Sequence, residues 1–427
     1  MKSGSIFVFS LVISAAAVAQ PANQARFVDV IVALNVDATR APRAVNQMMA
    51  NQVAAEHGVQ NVRTYGTVFA GFAGRLPEAA LNALQHDPMI AAISFDGTMH
   101  ASMGKPGGGG GGGGGGGETV PWGVARIGAA ANPNDGAGIH VYIIDTGIDS
   151  DHRDLAAHIG NGFAAVTCRG RTCLQPWDDD NGHGTHVSGS AGAIDNDVDV
   201  IGVAPGVTLH AIKVLSKSGS GSTSGIIQGI DWMAAEVQAR GQPAAANMSL
   251  GGSGSKTGTC TSNGFTGSDN FHRAICNAKN IGVVFAVAAG NEGADAQGST
   301  PAAYDDAVIT VSATDSSDNW PTWSNWGDNS AAWTANPSAP VAIAAPGVSV
   351  LSTWNNGATN TISGTSMATP HVAGAIALFL ASNPQQNNGN AFVNARNTLL
   401  GVAESTAGFS NTSGHPHSED FLHAGNL

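Results

Sequence analysis

The sequence predicts an α/β fold, a doubly wound and mainly parallel sheet with flanking helices, preceded by a small ferredoxin-like α+β module. After residue 118, helical patterns such as TSGIIQGIDWMAAEVQARG alternate with apolar strand patterns, which is the order of parallel βαβ units. The strand patterns are nearly continuous, as in strands buried on both faces. They are HVYIID, TLHAIKVL, AANMSL and IGVVFAVAAGN.

The ferredoxin-like module is predicted between residue 26 and the glycine tract. Its patterns follow the order β-α-β-β-α-β within about eighty residues, which is typical of that fold. In chain order they are the strand RFVDVIVALN, the helix PRAVNQMMANQVAAEHG, the strand pair VRTYGTVFAGFAGRL, the helix LPEAALNALQHDP and the strand MIAAISFDG.

The N-terminus has the three-part pattern of a secretory signal peptide over residues 1–19. Lys2 precedes an apolar run from Ile6 to Ile13, and the small residues of Ala17-Val18-Ala19 follow. This run is too short to remain as a membrane span, and no other uninterrupted apolar run reaches spanning length. We expect a secreted, extracellular protein with no membrane association.

Four cysteines in an exported chain indicate disulfides. Three pairings are possible, and free buried thiols are the alternative. We favour Cys168–Cys173 and Cys260–Cys276, because both join neighbours along the chain and leave no partner to be sought across the fold.

Eleven consecutive glycines at 107–117 divide the chain. The tract has no Gly-X-Y period, so it reads as a flexible tether and not as collagen. It bounds a first module at 20–103, a glycine-rich linker at 104–117 and a larger domain at 118–427. The larger domain has 11 Lys/Arg against 25 Asp/Glu, and this acidity argues against nucleic acid or an anionic membrane as a partner.

Four polar residues lie where strands end or helices begin. Asp145 ends HVYIID, His183 begins GHGTHV, Asn291 ends FAVAAGN, and Ser366 opens the helix pattern after SGT. Sites in parallel sheets gather at such strand ends. A serine before a helix is most often an N-cap, so a nucleophilic role for Ser366 depends on the other three residues.

These residues form a chemically complete set. A serine hydroxyl becomes nucleophilic when an imidazole removes its proton, and a carboxylate orients that imidazole. The Asn291 amide and the Ser366 backbone N–H would stabilise the oxyanion that develops. The metal, second-base and phosphate-loop interpretations of His186, His371 and GGSGSKTG lack the residues they need, and the G-x-S-x-G elbow of esterases is absent.

The motifs DTGID, GHGTHV, MSLGG, AAGN and GTSMATPHVAG, in this order, resemble the subtilisin family of secreted serine endopeptidases from about Val120 onward. The resemblance implies Asp145, His183 and Ser366 as the catalytic triad and Asn291 in the oxyanion hole. It also implies two edges that take a substrate as an added strand, and an uncharged pocket that prefers a neutral or apolar side chain. The substrate-binding residues are Gly219, Ser220, Gly221, Ser249, Leu250, Gly251, Ala288 and Gly290.

The resemblance further implies a structural calcium ion. Six oxygen ligands suit Ca²⁺, and a merely acidic turn is the alternative. The implied ligands are the side chains of Glu118, Asp154 and Asn196 and the carbonyls of Ile194, Val198 and Val200. Thr300–Pro301 lies where this family tends to have a cis peptide.

The first module resembles the family's inhibitory propeptide. The segment ISFDGTMHASM would then lie in the substrate groove, and self-cleavage is expected near Met103–Gly104. The prediction is therefore a calcium-stabilised serine endopeptidase made as a zymogen, monomeric, acting on proteins or peptides and inhibited by its own propeptide. A secreted serine esterase and a non-catalytic binding protein are the alternatives.

Overall fold

A computed structural model describes residues 26–102, 117–170, 172–327 and 340–427. The predicted signal peptide at 1–19, the predicted cleavage position Met103–Gly104 and most of the glycine tract lie outside the described residues.

The N-terminal unit is an antiparallel four-stranded sheet with two helices. Its strands have the order β2-β3-β1-β4, which confirms the ferredoxin-like topology. The second helix is shorter than predicted, because a 3-10 turn at Glu78–Ala80 occupies its start and His86 ends it before Pro88. The elements are β1 (Phe27–Leu34), α1 (Arg43–Glu56), β2 (Gln60–Tyr65), β3 (Gly71–Pro77), α2 (Leu81–Gln85) and β4 (Ile90–Phe95).

The rest of the chain alternates strands and helices, as predicted. The strands are β5 (Thr98–Ala101), β6 (His140–Asp145), β7 (Phe163–Ala164), β8 (Thr208–Lys213), β9 (Ser220–Ser222), β10 (Ala244–Met248), β11 (Leu250–Ser253), β12 (Gly258–Thr261), β13 (Gly264–Gly267), β14 (Val283–Ala288), β15 (Ser299–Thr300), β16 (Ile309–Thr314), β17 (Val341–Pro346), β18 (Val350–Trp354) and β19 (Ala358–Ile362). The helices are α3 (Trp122–Arg126), α4 (His183–Gly192), α5 (Thr223–Arg240), α6 (Asn270–Asn280), α7 (Thr365–Ser382) and α8 (Asn390–Val402).

A seven-stranded parallel sheet forms the centre, in the order β17-β16-β14-β10-β6-β8-β7. Apolar side chains of α4, α7 and α8 pack on one face, and those of α5 and α6 pack on the other. The sheet is thus doubly wound, as predicted. Because β6 lies between β8 and β10, the winding reverses at β6, and Asp145 is at the carboxyl end of this switch strand.

Helix α7 is the one helix of the described residues that is long and apolar enough to cross a membrane. However, 89% of it is buried inside the protein. It packs against strands of the central sheet, so it is the core helix of this domain.

The disulfide pairs and the cis peptide that the sequence predicted are present in the structure. The pairs Cys168–Cys173 and Cys260–Cys276 are disulfides, with Cα–Cα distances of 5.9 and 5.5 Å. The Thr300–Pro301 peptide is cis.

The N-terminal unit packs on the larger domain through the face of its sheet that is turned away from α1. Ile31 and Ala33 of β1 share one buried cluster with side chains of α5 and α6. Strand β5 then continues from this unit into a groove between β9 and β11. The groove is the cleft described next.

Candidate active site

Asp145 and His183 form a buried pair. The Nδ1 atom of His183 lies 2.8 Å from Oδ1 of Asp145, and neither side chain is exposed to solvent. The carboxylate accepts, so Nδ1 carries the hydrogen and Nε2 is left with its lone pair. Within the described part of the chain, Nε2 has no hydrogen-bond partner. The imidazole therefore has a free acceptor.

Ser366 lies in the first turn of α7 and does not cap the helix. The N-cap position is held by Gly364, which makes no side-chain cap bond. The Ser366 hydroxyl lies 2.5 Å from the carbonyl oxygen of Ser102 and 3.1 Å from that of Ser249. Its proton is therefore directed to these two carbonyls, and the structure has no hydrogen bond between Ser366 and His183.

Asn291 lies in the loop that follows β14, where its side chain has a fixed orientation. Its Oδ1 atom accepts hydrogen bonds from the backbone N–H of Thr365 at 2.8 Å and from the Thr365 hydroxyl at 3.2 Å. Because both bonds go to the oxygen, the Nδ2 amide is the group left to donate. Thr365, the residue before Ser366, thus holds Asn291 at the start of α7.

The cleft already holds a peptide segment, strand β5 of the same chain. It pairs antiparallel with both β9 and β11. At the end of the strand, the N–H of Ala101 donates to the carbonyl of Gly219 at 2.9 Å and that of Ser102 donates to the carbonyl of Ser249 at 3.1 Å. The two predicted substrate edges, 219–221 and 249–251, are therefore the two edges that bind this segment.

A cavity of about 610 Å³ lies beside residues 97–102 of this segment. Its lining includes Ala288, Gly290 and Gly251, as the sequence predicted. Two carboxylates also line it, Glu292 and Asp295, so the prediction of a wholly uncharged pocket was incomplete. Glu292 could have been predicted to line the cavity, because it directly follows Asn291 in the sequence. Asp295 could not, because the path of the loop decides that it faces the cavity.

Comparison with known proteins agrees with this geometry. The profile described as "Subtilase family" matches residues 136–417. The chain belongs to the subtilase family. It is 38% identical over 348 residues to the extracellular serine proteinase of Thermus sp. strain Rt41A, covering 79% of this chain and 73% of that protein. It is 34% identical over 351 residues to subtilisin E of Bacillus subtilis strain 168, covering 81% and 79% respectively.

A solved relative supports the same assignment. A cold-adapted subtilisin-like serine proteinase, known from a crystal structure, is 36% identical with a TM-score of 0.56. The match covers 71% of this chain and 97% of the relative. The protein is therefore a subtilisin-like serine peptidase.

The subtilase has an acidic loop at the position predicted for calcium. The N–H of Asn196 donates to Glu118 at 2.9 Å, and the N–H of Val200 donates to Asp154 at 3.1 Å. The second oxygen of Asp154, Oδ1, is buried without a hydrogen-bond partner in the described residues. Burial raises the pKa of Asp154 to about 7, and the charges of Asp199 and Glu118 add to this.

The donor set of this loop fits a hard cation better than a soft one. The buried Oδ1 lacks a partner, and the implied ligands are carboxylate, amide and carbonyl oxygens. The described residues contain no group of three His, Cys, Asp or Glu side chains placed to bind a metal together. Backbone carbonyls would therefore have to complete the ligand set, and the sequence implies those of Ile194, Val198 and Val200.

The two histidines that the sequence analysis set aside are buried and neutral. Nε2 of His186 lies 3.0 Å from the carbonyl of Val350, and Nδ1 of His371 lies 2.9 Å from that of Met367. Burial lowers the pKa of His186 to about 3 and that of His371 to about 4. Their hydrogen bonds to backbone carbonyls make them part of the packing around α4 and α7.

Proposed function

We propose that this subtilase is a secreted endopeptidase that hydrolyses peptide bonds of proteins and is made as a self-processing zymogen. One observation carries the proposal. A segment of its own chain lies in the cleft as an added strand, and the Ser102 carbonyl oxygen is 2.5 Å from the Ser366 hydroxyl. Strand addition recognises a peptide backbone, which a simple ester substrate lacks. The arrangement therefore favours a peptidase over the alternative esterase.

In the proposed reaction Ser366 is the nucleophile. Its Oγ forms a bond to the scissile carbonyl carbon while Nε2 of His183 takes the hydroxyl proton. Asp145, 2.8 Å from Nδ1, holds the imidazole in the tautomer that leaves Nε2 free and stabilises the imidazolium. Since Nε2 has no other hydrogen-bond partner in the described residues, no competing bond must be broken there.

The negative charge that develops on the carbonyl oxygen needs fixed donors. The Nδ2 amide of Asn291 and the backbone N–H of Ser366 fill this role, because Thr365 already holds Oδ1 of Asn291. When the C–N bond breaks, His183 returns its proton to the leaving amine. A water molecule then attacks the acyl-enzyme, His183 takes the water's proton, and Ser366 leaves with it.

We propose that the residue on the acyl side of the cleaved bond is neutral or apolar. The cavity beside this position has Gly251, Ala288 and Gly290 in its walls. Of the two carboxylates there, Glu292 already accepts hydrogen bonds at Oε2 from the Asn291 N–H at 2.9 Å and the Asn325 amide at 2.8 Å. Peptides with Ala, Phe or Lys at this position test the preference, and faster cleavage after Lys would contradict it.

The unit at 20–103 is proposed to be an inhibitory propeptide. Its strand β5 fills the cleft that a substrate would use, so the uncut or bound unit excludes other peptides. The sequence placed the cut at Met103–Gly104. Among the described residues, however, Ser366 contacts the carbonyl of Ser102, which favours a cut one residue earlier, at Ser102–Met103. N-terminal sequencing of the large product distinguishes Met103 from Gly104 as its first residue.

Calcium is proposed as a structural ion. Glu118, Asp154 and Asn196 with the three carbonyls of the 194–200 loop would hold it. The ion would supply the positive charge that the buried Asp154 carboxylate lacks, which stabilises the loop without any part in the chemistry. Secretion is proposed from the pattern at 1–19, and the Thermus relative is named as extracellular.

Casein hydrolysis by the wild type and by Ser366→Ala tests the function. We expect the wild type to convert itself to a smaller form and to release peptides, and the variant to accumulate as the uncut precursor. Precursor that is still processed in Ser366→Ala, in a preparation free of other proteases, would rule out Ser366 as the nucleophile.

A further inference from the structure

We propose that the Thr146 hydroxyl, held by the buried carboxylate of Asp179, is a positioning group that sets the hydrogen bond between His183 and Asp145. The inference rests on the proposed catalytic roles of those two residues. Thr146 has hydrogen bonds to Asp145, Asp179 and Gly184 and none to the imidazole, so it acts through the segments that carry the pair.

The first evidence is how helix α4 begins. Its N-cap, Gly182, has no side chain, although the first N–H groups of a helix lack partners inside it. Side chains from outside the helix accept these bonds. The N–H of Gly184 donates to the Thr146 hydroxyl at 2.8 Å, and the N–H of Thr185 donates to Asp179 at 2.9 Å. Thr146 is therefore one of the caps of the helix whose first residue is His183.

The second evidence is that Thr146 also binds the other member of the pair. Its backbone N–H donates to Oδ1 of Asp145 at 2.7 Å, the same oxygen that receives His183 Nδ1. One residue thus holds the carboxylate through its backbone and the start of the imidazole's helix through its side chain. The hydrogen bonds of this one residue therefore fix the position of the carboxylate relative to the imidazole.

The third evidence is the buried anion behind Thr146. Asp179 is 6% exposed, and among the described residues no cation lies within ion-pair distance of it. Its Oδ1 accepts from the Thr146 hydroxyl and from the N–H groups of Asn181 and Gly182, each at 2.9 Å. Its Oδ2 accepts from the N–H and hydroxyl of Thr185. N–H groups at a helix start stabilise an anion of this kind.

Because Asp179 accepts the Thr146 proton, the Thr146 oxygen is left to accept from Gly184. Removing this hydroxyl leaves the Gly184 N–H without its acceptor and takes one of three hydrogen bonds from Oδ1 of Asp179, which frees the start of α4 from the Asp145 loop. A shift of about 1 Å at a reacting group can cost about 10²-fold in rate. Substrate binding, by contrast, depends on β9 and β11, and neither the Thr146 hydroxyl nor the Asp179 carboxylate has a hydrogen bond to these strands.

The test compares Thr146→Val, which keeps the shape but removes the hydroxyl, with Thr146→Ser, which keeps the hydroxyl. The control is Ser190→Ala, which deletes a buried hydroxyl further along α4. For Thr146→Val we expect kcat to fall by about 10- to 100-fold with KM within about twofold. We expect Thr146→Ser and Ser190→Ala to stay within about threefold of the wild type.

A spectroscopic signature separates positioning from general destabilisation. The proton between His183 Nδ1 and Asp145 should give a downfield proton resonance in the wild type. We expect Thr146→Val to move or broaden it, and Ser190→Ala to leave it in place even if its melting temperature falls. An unchanged resonance, or a Thr146→Val kcat within about threefold of the wild type, overturns the proposal.

If Thr146→Val gives no folded protein, Asp179→Asn decides, because it keeps the side chain's shape and removes its charge. A lower kcat with a moved resonance supports the proposal, and unchanged values of both contradict it. Wild type and Ser366→Ala are assayed alongside. An inactive wild type would refute the proposed function itself, which is a different outcome from an active wild type with an equally active Thr146→Val.

Discussion

Replacing Asp231 with alanine should release the N-terminal unit from the catalytic half. Asp231 lies on α5 and is fully buried under the turn between β2 and β3. Its Oδ1 accepts the N–H groups of residues 66, 67 and 68 at 3.1, 2.7 and 3.0 Å. Its Oδ2 forms an ion pair with Arg43 at 3.0 Å. The other carboxylate of α5, Glu236, binds Asn161 and Arg240 of the larger domain instead.

The size of the effect follows from these contacts. Removing one partner of a buried, hydrogen-bonded ion pair costs about 3–5 kcal/mol. Each ~1.4 kcal/mol is tenfold in a dissociation constant, so the cleaved unit should bind about 10²- to 10⁴-fold more weakly. Arg43→Ala should cost less, because that side chain is 37% exposed and the three N–H bonds to Asp231 remain.

The assay measures the delay between self-cleavage, followed on a gel, and the appearance of activity against a peptide. Asp231→Ala should shorten the delay, because the cleaved unit leaves the cleft sooner. Gln238→Ala, on an exposed position of the same helix, is the matched control and should not change it. An unchanged delay in Asp231→Ala would show that β5 alone holds the unit in place, and the reasoning from buried contacts would be wrong.

Three further changes have defined outcomes. Asn291→Ala should lower kcat by about 10²–10³-fold with little change in KM, the range that subtilisin, a member of the same family, shows when it loses its side-chain oxyanion donor. A chelator should lower the melting temperature of the mature enzyme, because calcium at a thousandfold excess over its dissociation constant contributes up to ~4 kcal/mol to the free energy of unfolding. The melting temperature of Asp154→Asn should not change when the chelator is added. Serine replacement of the Cys260–Cys276 disulfide should destabilise more than that of Cys168–Cys173, by about 3 against about 2 kcal/mol in thermal unfolding, because it closes 16 residues and not five.

Much of the fold could be predicted because its signals are local. Buried parallel strands such as β6 and β14 are apolar over their whole length, and this pattern needs no knowledge of the neighbours. The proposed site residues were found for the same reason. Asp145 is the last residue of such a strand and Asn291 comes three residues after another, while His183 and Ser366 lie at the start of helix patterns.

The contacts that hold these residues in place could not be predicted, because they join positions far apart in the chain. Asp179 is one of three successive aspartates, and nothing in DDD indicates which of them the fold turns inward toward Thr146. Asp231 reads as an ordinary polar residue of an amphipathic helix until the turn at 66–68 covers it. The position of Asp295 in the lining of the cavity could not be predicted either, since the path of the loop decides which side chains face the cavity.

The bound N-terminal unit inhibits in two ways if the proposed roles are right. Strand β5 occupies the cleft, which blocks other peptides. The carbonyl of Ser102, directly after β5, also accepts the hydrogen bond of the Ser366 hydroxyl at 2.5 Å, while His183 Nε2 accepts no hydrogen bond from a described residue. A hydroxyl directed to a carbonyl is not aligned for proton transfer to the imidazole. Departure of β5 therefore opens the cleft and also removes the shorter of the two hydrogen bonds of the Ser366 hydroxyl, leaving the 3.1 Å contact with the Ser249 carbonyl as the one to be exchanged for His183.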